Sequence, residues 1–520
     1  MLNHSGPTPK AGLVIFSVSS LVLANPVAVA QSPTCTPLIE RYRSLVVTDE
    51  ALDKTKFSFS RTIGAILSSM SIPNTTDNRE NFLKTLLTSF NNDALVNPVS
   101  GLRMRVDPRP LEAALDPKKL LDPADPTGLV PVALFNRLDL APVDWSDCGE
   151  HRIIYSFKAP IPTPTPLRSR FFLIFEARTA NASSQKIGFE GCRPTANFWR
   201  SLTDESDAVK RAERLQQFYY TGIDGTAGPV VQAKNYGGPL GQVRGNFSVV
   251  SSGASSKFQL REWVIVNSGQ PTPASFVSVT VKDNPLAQFY LDANDTGLDA
   301  PLDPMLEASE RVEFHKEFLN TSLTQLLEPD VGLNFLTPGH PGYKPELDPK
   351  NPAFEIEKYK IEILNRFGAR FENRFNEFQS VSQGSEDNPK AKAPGMWSMF
   401  RGDIDTKLDE FVIDPMQKPE AKHVLNRAGA VTCGGCHDFT SLQPVGQVRG
   451  QPILWPTSQG FVHVTESGGL SPALRDVFLP FRQDRLAEAV CIEKTDQAIT
   501  MQRQEEIHKP GYFVTNRRSH

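Results

Sequence analysis

The chain has 520 residues, with 55 Lys and Arg against 59 Asp and Glu and a net charge of -4. That balance excludes the basic face of a nucleic-acid binder, so no nucleic-acid partner is expected. At 39% hydrophobic and 22% charged residues, the chain can bury a core and is not a disordered polyelectrolyte; its length suggests roughly two to four domains.

The first 30 residues read as an export signal. Lys10 precedes the apolar run Ala11 to Ala24, and the small-residue site Ala28-Val-Ala30 stands before Gln31. This is the charged, apolar, small-residue order of a signal peptide. The run is short for a membrane span, and no later stretch reaches the ~18 apolar residues that a spanning helix needs. The mature chain is therefore expected to be without a transmembrane span, in the periplasm of a bacterium or secreted from it.

Residues 31–128 read as helical. Pro37 opens a helix with Thr36 as its N-cap, a second covers 60–70, and a third covers 78–90. In the third, Phe82, Leu83, Leu86, Leu87 and Phe90 recur at helical spacing behind Asp77 as the cap. Asp-Pro pairs at 107, 116, 122 and 125 mark turns and linkers. Residues 129–283 read as a β-rich domain. Short apolar runs cover 129–135, 152–157 and 171–175, a helix covers 204–220, and 258–266 with 276–281 form a hairpin. Residues 284–392 return to helix at 310–327 and 353–378, then a polar linker covers 380–392. Residues 393–520 form the C-terminal module. The expected class is α+β, with a helical N-terminal part, a disulfide-tied β-rich middle domain and a mainly helical C-terminal module.

Six cysteines remain after the signal: Cys35, Cys148, Cys192, Cys433, Cys436 and Cys491. Cys433, Cys436 and His437 make up Cys-Gly-Gly-Cys-His, the C-x-x-C-H pattern of c-type haem attachment. The other four are an even set that can form two disulfides in an oxidising compartment. Cys148 with Cys192 would tie the middle domain and Cys35 with Cys491 would join the two ends, but four cysteines allow three pairings.

The C-x-x-C-H segment is the one stretch that names a chemistry. Two thiols can bond covalently to the vinyl groups of a haem, and the adjacent His can ligate its iron. Two glycines between the cysteines let the backbone curl closely around a flat macrocycle. A helix from Pro419 to Ala430 leads into the motif, and in this the C-terminal part resembles small c-type cytochrome domains. The resemblance implies thioether bonds at Cys433 and Cys436, His437 as the axial iron ligand, one covalent haem c, electron transfer or haem-dependent redox chemistry, and a redox partner protein. Met501 and His463 are the candidates for a second axial ligand, with His508 as a third. The module departs from the pattern after Asp438, where the chain is rich in Gly and Pro up to Pro456. A helix then starts at Ser471 and is interrupted by Pro480. Two other readings use the same residues: a C-x-x-C disulfide, redox-active or structural, and a structural metal site from both thiolates, His437 and His463. In either case the chain would be a secreted binding or scaffold protein with a staple at this point.

Residues 130–200 resemble a segment of uncharacterised exported bacterial proteins. The resemblance is carried by Leu134-Phe-Asn-Arg-Leu-Asp-Leu-Ala-Pro, Asp147-Cys-Gly-Glu-His-Arg, Phe171-Phe-Leu-Ile-Phe-Glu and Gly191-Cys-Arg-Pro. It implies export and a shared scaffold and carries no activity. Arg137, Asp139, Glu150 and Arg152 are expected to form a charged network near Cys148, and His151 to be structural. No nucleophile elbow, phosphate loop, zinc-protease helix or dinucleotide fingerprint occurs, so no residue receives a catalytic role. Asn74, Asn246 and Asn320 match the glycosylation pattern. The pentapeptide Gly-Gln-Val-Arg-Gly, at 241–245 and 446–450, reads as two similar turns.

Overall fold

The computed structural model describes residue 35, residues 512–514, and residues 37–492 apart from 97–102, 107, 143, 159–160, 163–167, 239–240, 252–253, 268–273, 280–286, 291–307, 328–329, 331–343, 369, 373–374, 376–399, 412 and 433. The expected signal segment, the linker at 380–392, Cys433, Met501 and His508 lie outside the described residues. From Pro37 onward the chain packs as one unit.

The centre of that unit is an antiparallel meander. Its strands lie side by side in chain order: β1 (Val46–Val47), β2 (Val130–Arg137), β3 (Asp147–Ser156), β4 (Arg168–Ala180), β5 (Gly241–Ser251), β6 (Ala254–Val266) and β7 (Ser275–Val279). The pair Ile161–Pro162 adds to β4. The expected hairpin is β6 with β7, in which Ile265 faces Phe276. β2 is buried at every position, so the sheet is covered on both faces and its strands show little polar alternation.

Side chains alternate across a strand, and this sorts the sheet into two faces. Tyr155, Phe171, Phe175, Phe247 and Trp263 point toward α1 (Phe59–Ser69) and α2 (Thr76–Ser89). The Phe59 ring lies 5.2 Å from Tyr155, and Phe90 sits edge-on to Phe247 at 5.0 Å and to Trp263 at 5.6 Å. Such edge-on pairs add to the large area each ring removes from water. The Trp263 indole N–H donates to Ser89 Oγ at 2.8 Å, which satisfies the one polar atom of a buried ring.

The N-terminal helices differ from expectation in their starts. Thr75 caps α2, its hydroxyl accepting from the Asn78 N–H at 3.2 Å, while Asp77 sits in the first turn, where a carboxylate favours the helix dipole. No helix starts at Pro37. A single turn, Arg41–Ser44, begins after Glu40. Tertiary bonds hold this entry, with the Glu40 N–H donating to Thr203 Oγ1 at 2.9 Å and Ser44 Oγ 2.7 Å from the same atom.

A disulfide joins Cys148 on β3 to Cys192, across 44 positions of sequence. Cys192 immediately precedes α3 (Arg193–Ser201), which the sequence pattern had not marked. Cys35 and Cys491 are each disulfide-bonded. α4 (Ala208–Tyr220) is the expected helix, shortened to start after Asp207, whose carboxylate caps it by accepting from the Val209 N–H at 2.8 Å.

The expected helix over 353–378 ends early. α5 (Ile356–Arg366) stops where Phe367 turns extended, and Arg370–Glu372 pairs as a strand with Tyr512–Val514. The C-terminal part then lies against the second face of the sheet. It contains α6 (Ala421–Ala430), a hairpin of β8 (Pro444–Val448) and β9 (Gln451–Leu454), and α7 (Leu479–Val490). Helical segments and this two-stranded hairpin share the C-terminal part among the described residues. Pro480 does not break a helix. It lies where a π-helical stretch, Ala473–Phe478, runs directly into α7. The two pentapeptides also differ: 241–245 runs along β5, whereas 446–450 ends in the β8–β9 turn with Arg449 at φ +50° and Gly450 at φ +75°.

Arg427 holds this part together. The side chain is fully buried, pairs with Asp330 and donates to the carbonyls of Val445 at 2.6 Å and Leu326 at 2.8 Å. One guanidinium thereby ties α6 to β8 and to the helical segment Leu323–Leu326.

Candidate functional site

The C-x-x-C-H motif sits where α6 runs out. Thr432 ends the helix: its hydroxyl donates to the Gly429 carbonyl at 2.7 Å and accepts from the Gly435 N–H at 3.0 Å. A π-helical turn, Gly435–Phe439, carries Cys436 and His437. Gly435 is required there by the turn itself, since a Cβ would stand 1.9 Å from the Gly429 carbonyl oxygen. The glycine expected to make room for a macrocycle thus also makes room for the preceding helix. Cys436 is a buried thiol. Its carbonyl accepts from the Trp455 indole N–H at 3.4 Å, and the His437 carbonyl accepts from the Ser458 hydroxyl.

His463 joins them from a loop. Its Nε2 lies 3.4 Å from Cys436 Sγ, and its Nδ1 lies 2.8 Å from Ser471 Oγ. The His437 and His463 ring centres are 4.6 Å apart at 42°. The potential ligand atoms of Cys436, His437 and His463 all lie within 4.8 Å of one another. Two imidazoles on opposite sides of one metal would keep their ring centres roughly 6 Å apart, since each nitrogen stands about 2 Å from the ion. In this arrangement His463 stands beside His437 rather than opposite it.

Long-range bonds from the sheet fix that loop. Arg170 on β4 makes a two-pronged bond to Glu466 at 2.7 and 2.9 Å and donates to the Gly460 carbonyl at 2.7 Å. Asn246 on β5 donates to the Phe461 carbonyl at 2.7 Å. Asn246 is only 4% exposed, so this glycosylation match falls on a side chain committed to the interior. Phe461 has φ +69°, a left-handed conformation that costs energy in a bulky residue. Its carbonyl also accepts a hydrogen bond from the His437 ring. Burial pushes that imidazole down to about 4, the Phe461 carbonyl opposes the fall, and the Arg152 and Arg244 charges add to it. His437 is therefore neutral near pH 7, the form a metal ligand requires.

A cavity of about 120 Å³ opens between this cluster and the sheet. Cys436, His437 and His463 form one wall. Phe135, Ile154, Phe172, Ile174, Leu260, Val464, Leu474 and Phe478 supply apolar surface, and Arg137, Arg152, Arg244, Arg482 and Glu176 line it with charge. The arginines belong to an ion-pair network: Arg137 with Asp139 at 2.9 Å, Arg152 with Glu150 and with Glu176 at 3.3 Å, and Arg244 with Glu262 at 3.0 Å. Four members of this network, Arg137, Asp139, Glu150 and Arg152, are the ones expected near Cys148; that the network faces the motif is not legible in the sequence, nor are Arg244 and Arg482, and Asn246 shows there only as a glycosylation match. Strand alternation could have grouped Arg152 with Ile154 and Arg244 with Asn246, but not told which face they share with Cys436.

His151 is structural as expected. It is fully buried on β3, 3.2 Å from Thr179 Oγ1, and it stacks on Trp199. No helix among the described residues is long and apolar enough to cross a membrane. Comparisons with protein-family models, with curated proteins and with solved structures find no match to this chain. The fold and site define a mixed helix-and-sheet protein, disulfide-bonded, with a Cys-His-His cluster facing a cavity.

Proposed function

We propose that this is an exported c-type cytochrome-like protein carrying one haem, bonded covalently at Cys433 and Cys436, with His437 as an axial ligand. The observation that carries the reading is the cavity, which opens directly on Cys436 and His437 and is walled largely by apolar side chains. When bound, haem supplies a one-electron iron couple whose potential follows from its ligands and surroundings.

The remaining chemistry belongs to the chain. The Phe461 carbonyl orients the His437 ring and holds its proton, as outer-shell acceptors do for ligating histidines. Arg137, Arg152 and Arg244, paired with Asp139, Glu150, Glu176 and Glu262, set an ion-pair network along one wall of the cavity. The export signal and the disulfides support a location outside the cytoplasm, where such attachment is made.

The test is to express the full chain with a c-type haem maturation system and record its visible spectrum after denaturation. A Soret band that stays with the polypeptide, and is lost in Cys433→Ala/Cys436→Ala, supports the proposal. A colourless polypeptide overturns it and leaves the motif as a staple in an exported binding or scaffold protein.

A further inference from the structure

One pair of the three donors stands at the spacing a single small ion sets, and the third lies close beside it. In a tetrahedral zinc site, metal–sulfur bonds of about 2.3 Å and metal–nitrogen bonds of about 2.0 Å place sulfur and nitrogen about 3.5 Å apart. Cys436 Sγ and His463 Nε2 stand 3.4 Å apart, and all three ligand atoms fit within 4.8 Å. Without an ion, the same contact is a thiol–imidazole hydrogen bond.

The surroundings match what a ligating histidine needs. Ser471 is fully buried, and its hydroxyl accepts from the Leu474 N–H at 3.1 Å while lying 2.8 Å from His463 Nδ1. The Ser471 N–H donates to the His463 carbonyl at 2.9 Å. Backbone and side chain of one residue thereby fix both the position and the rotation of the ring, leaving Nε2 directed at Cys436. His437 has the Phe461 carbonyl in the equivalent role. Two imidazoles with one thiolate are a donor set suited to zinc and its neighbours in the first transition row.

We propose that the haem-free chain binds one zinc-class divalent ion through Cys436 Sγ, His463 Nε2 and a ring nitrogen of His437. Binding exchanges the Cys436 thiol proton for the metal–sulfur bond and releases that proton to solvent, while both imidazoles bind neutral. Open coordination positions of such a site can take water or a small ligand. The inference concerns the chain without haem, so it stands or falls separately from the cytochrome reading.

The experiment uses the full mature chain made without haem maturation and titrated with Co2+ as a coloured probe for zinc. Expected are visible bands of tetrahedral intensity, a thiolate-to-cobalt charge-transfer band, saturation at one equivalent, and loss of colour when Zn2+ is added. Cys436→Ser removes the charge-transfer band. His463→Gln weakens Co2+ binding at least tenfold, and Ser471→Ala, which touches no ion, weakens it by about 10- to 100-fold. Circular dichroism checks that each variant is folded. A folded wild-type chain that takes up no Co2+, or that shows no thiolate band, overturns the proposal whatever the haem experiment gives. So does unchanged affinity in folded Cys436→Ser and His463→Gln.

Discussion

Asn246 and His437 meet at one atom, the carbonyl oxygen of Phe461. One comes from a central strand and the other from the motif, and the shared acceptor belongs to a residue held at φ +69°. The backbone strain at Phe461 is sustained because two donors from separate elements converge on its carbonyl.

Asn246→Ala removes one of those donors. Loss of a single buried hydrogen bond to a carbonyl typically costs about 1–3 kcal/mol. The variant should unfold at lower urea concentration with an unchanged slope, and the His437 ring resonances should broaden or shift in NMR. An unchanged midpoint together with unchanged His437 signals would refute the convergence.

Arg170 clamps the His463 loop onto β4 through Glu466 and two backbone carbonyls. Arg170→Ala should therefore free the loop more than it destabilises the whole. Limited proteolysis is expected to cut within 459–470 several-fold faster than in the parent chain, with global stability lowered by about 1–3 kcal/mol. Glu466→Gln keeps the backbone bonds of Arg170 and should show a smaller effect.

Arg427 and Asp330 form a buried pair. Arg427→Met strands the Asp330 carboxylate among apolar groups and should cost about 3–5 kcal/mol. Adding Asp330→Leu removes the stranded charge and should restore part of the loss. Chemical denaturation of both variants measures the difference, and no recovery in the double variant would count against the pair as the cause.

Acid should destabilise the fold through its buried histidines. Burial pushes His151 down to about 3, and His423 and His437 down to about 4, so each takes up a proton more readily when unfolded. Their contribution is complete above about pH 6.5 and falls as the pH drops toward 4; for His151 the loss at pH 5 is ~2 kcal/mol. Asp147 works against this, since burial raises its carboxyl to about 6. Its protonated form favours the fold at low pH, a contribution lost as the pH rises through about 6. Melting curves of the ion-free chain from pH 7 to 5 should fall, and His151→Gln should flatten the fall. A melting temperature that rises over this range would refute the assignment.

The Cys148–Cys192 bond closes a loop of 44 residues. A loop of that size restricts the unfolded chain by an amount worth about 4 kcal/mol in the chain-entropy estimate. The double variant Cys148→Ala/Cys192→Ala should lose stability of that order in denaturant, since β3 and the start of α3 then lack their covalent link.

Local pattern made several elements legible in advance. The apolar runs at 129–135, 152–157 and 171–175 overlap β2, β3 and β4, and the β6–β7 hairpin forms where two further runs predicted it. These signals are readable because each depends on residues a few positions apart. What sequence could not reach is the assembly of the site. His463 was one of three candidate ligands, separated from the motif by a hairpin and an irregular loop. Its approach to Cys436 is decided by Arg170, Asn246 and Ser471, two of them more than 200 positions away. The arginine wall was hidden for a related reason: both faces of the sheet are buried, so alternation sorts its side chains into two sets without saying which set faces Cys436. That choice belongs to the packing of the C-terminal helices and hairpin on the sheet, which no local periodicity records.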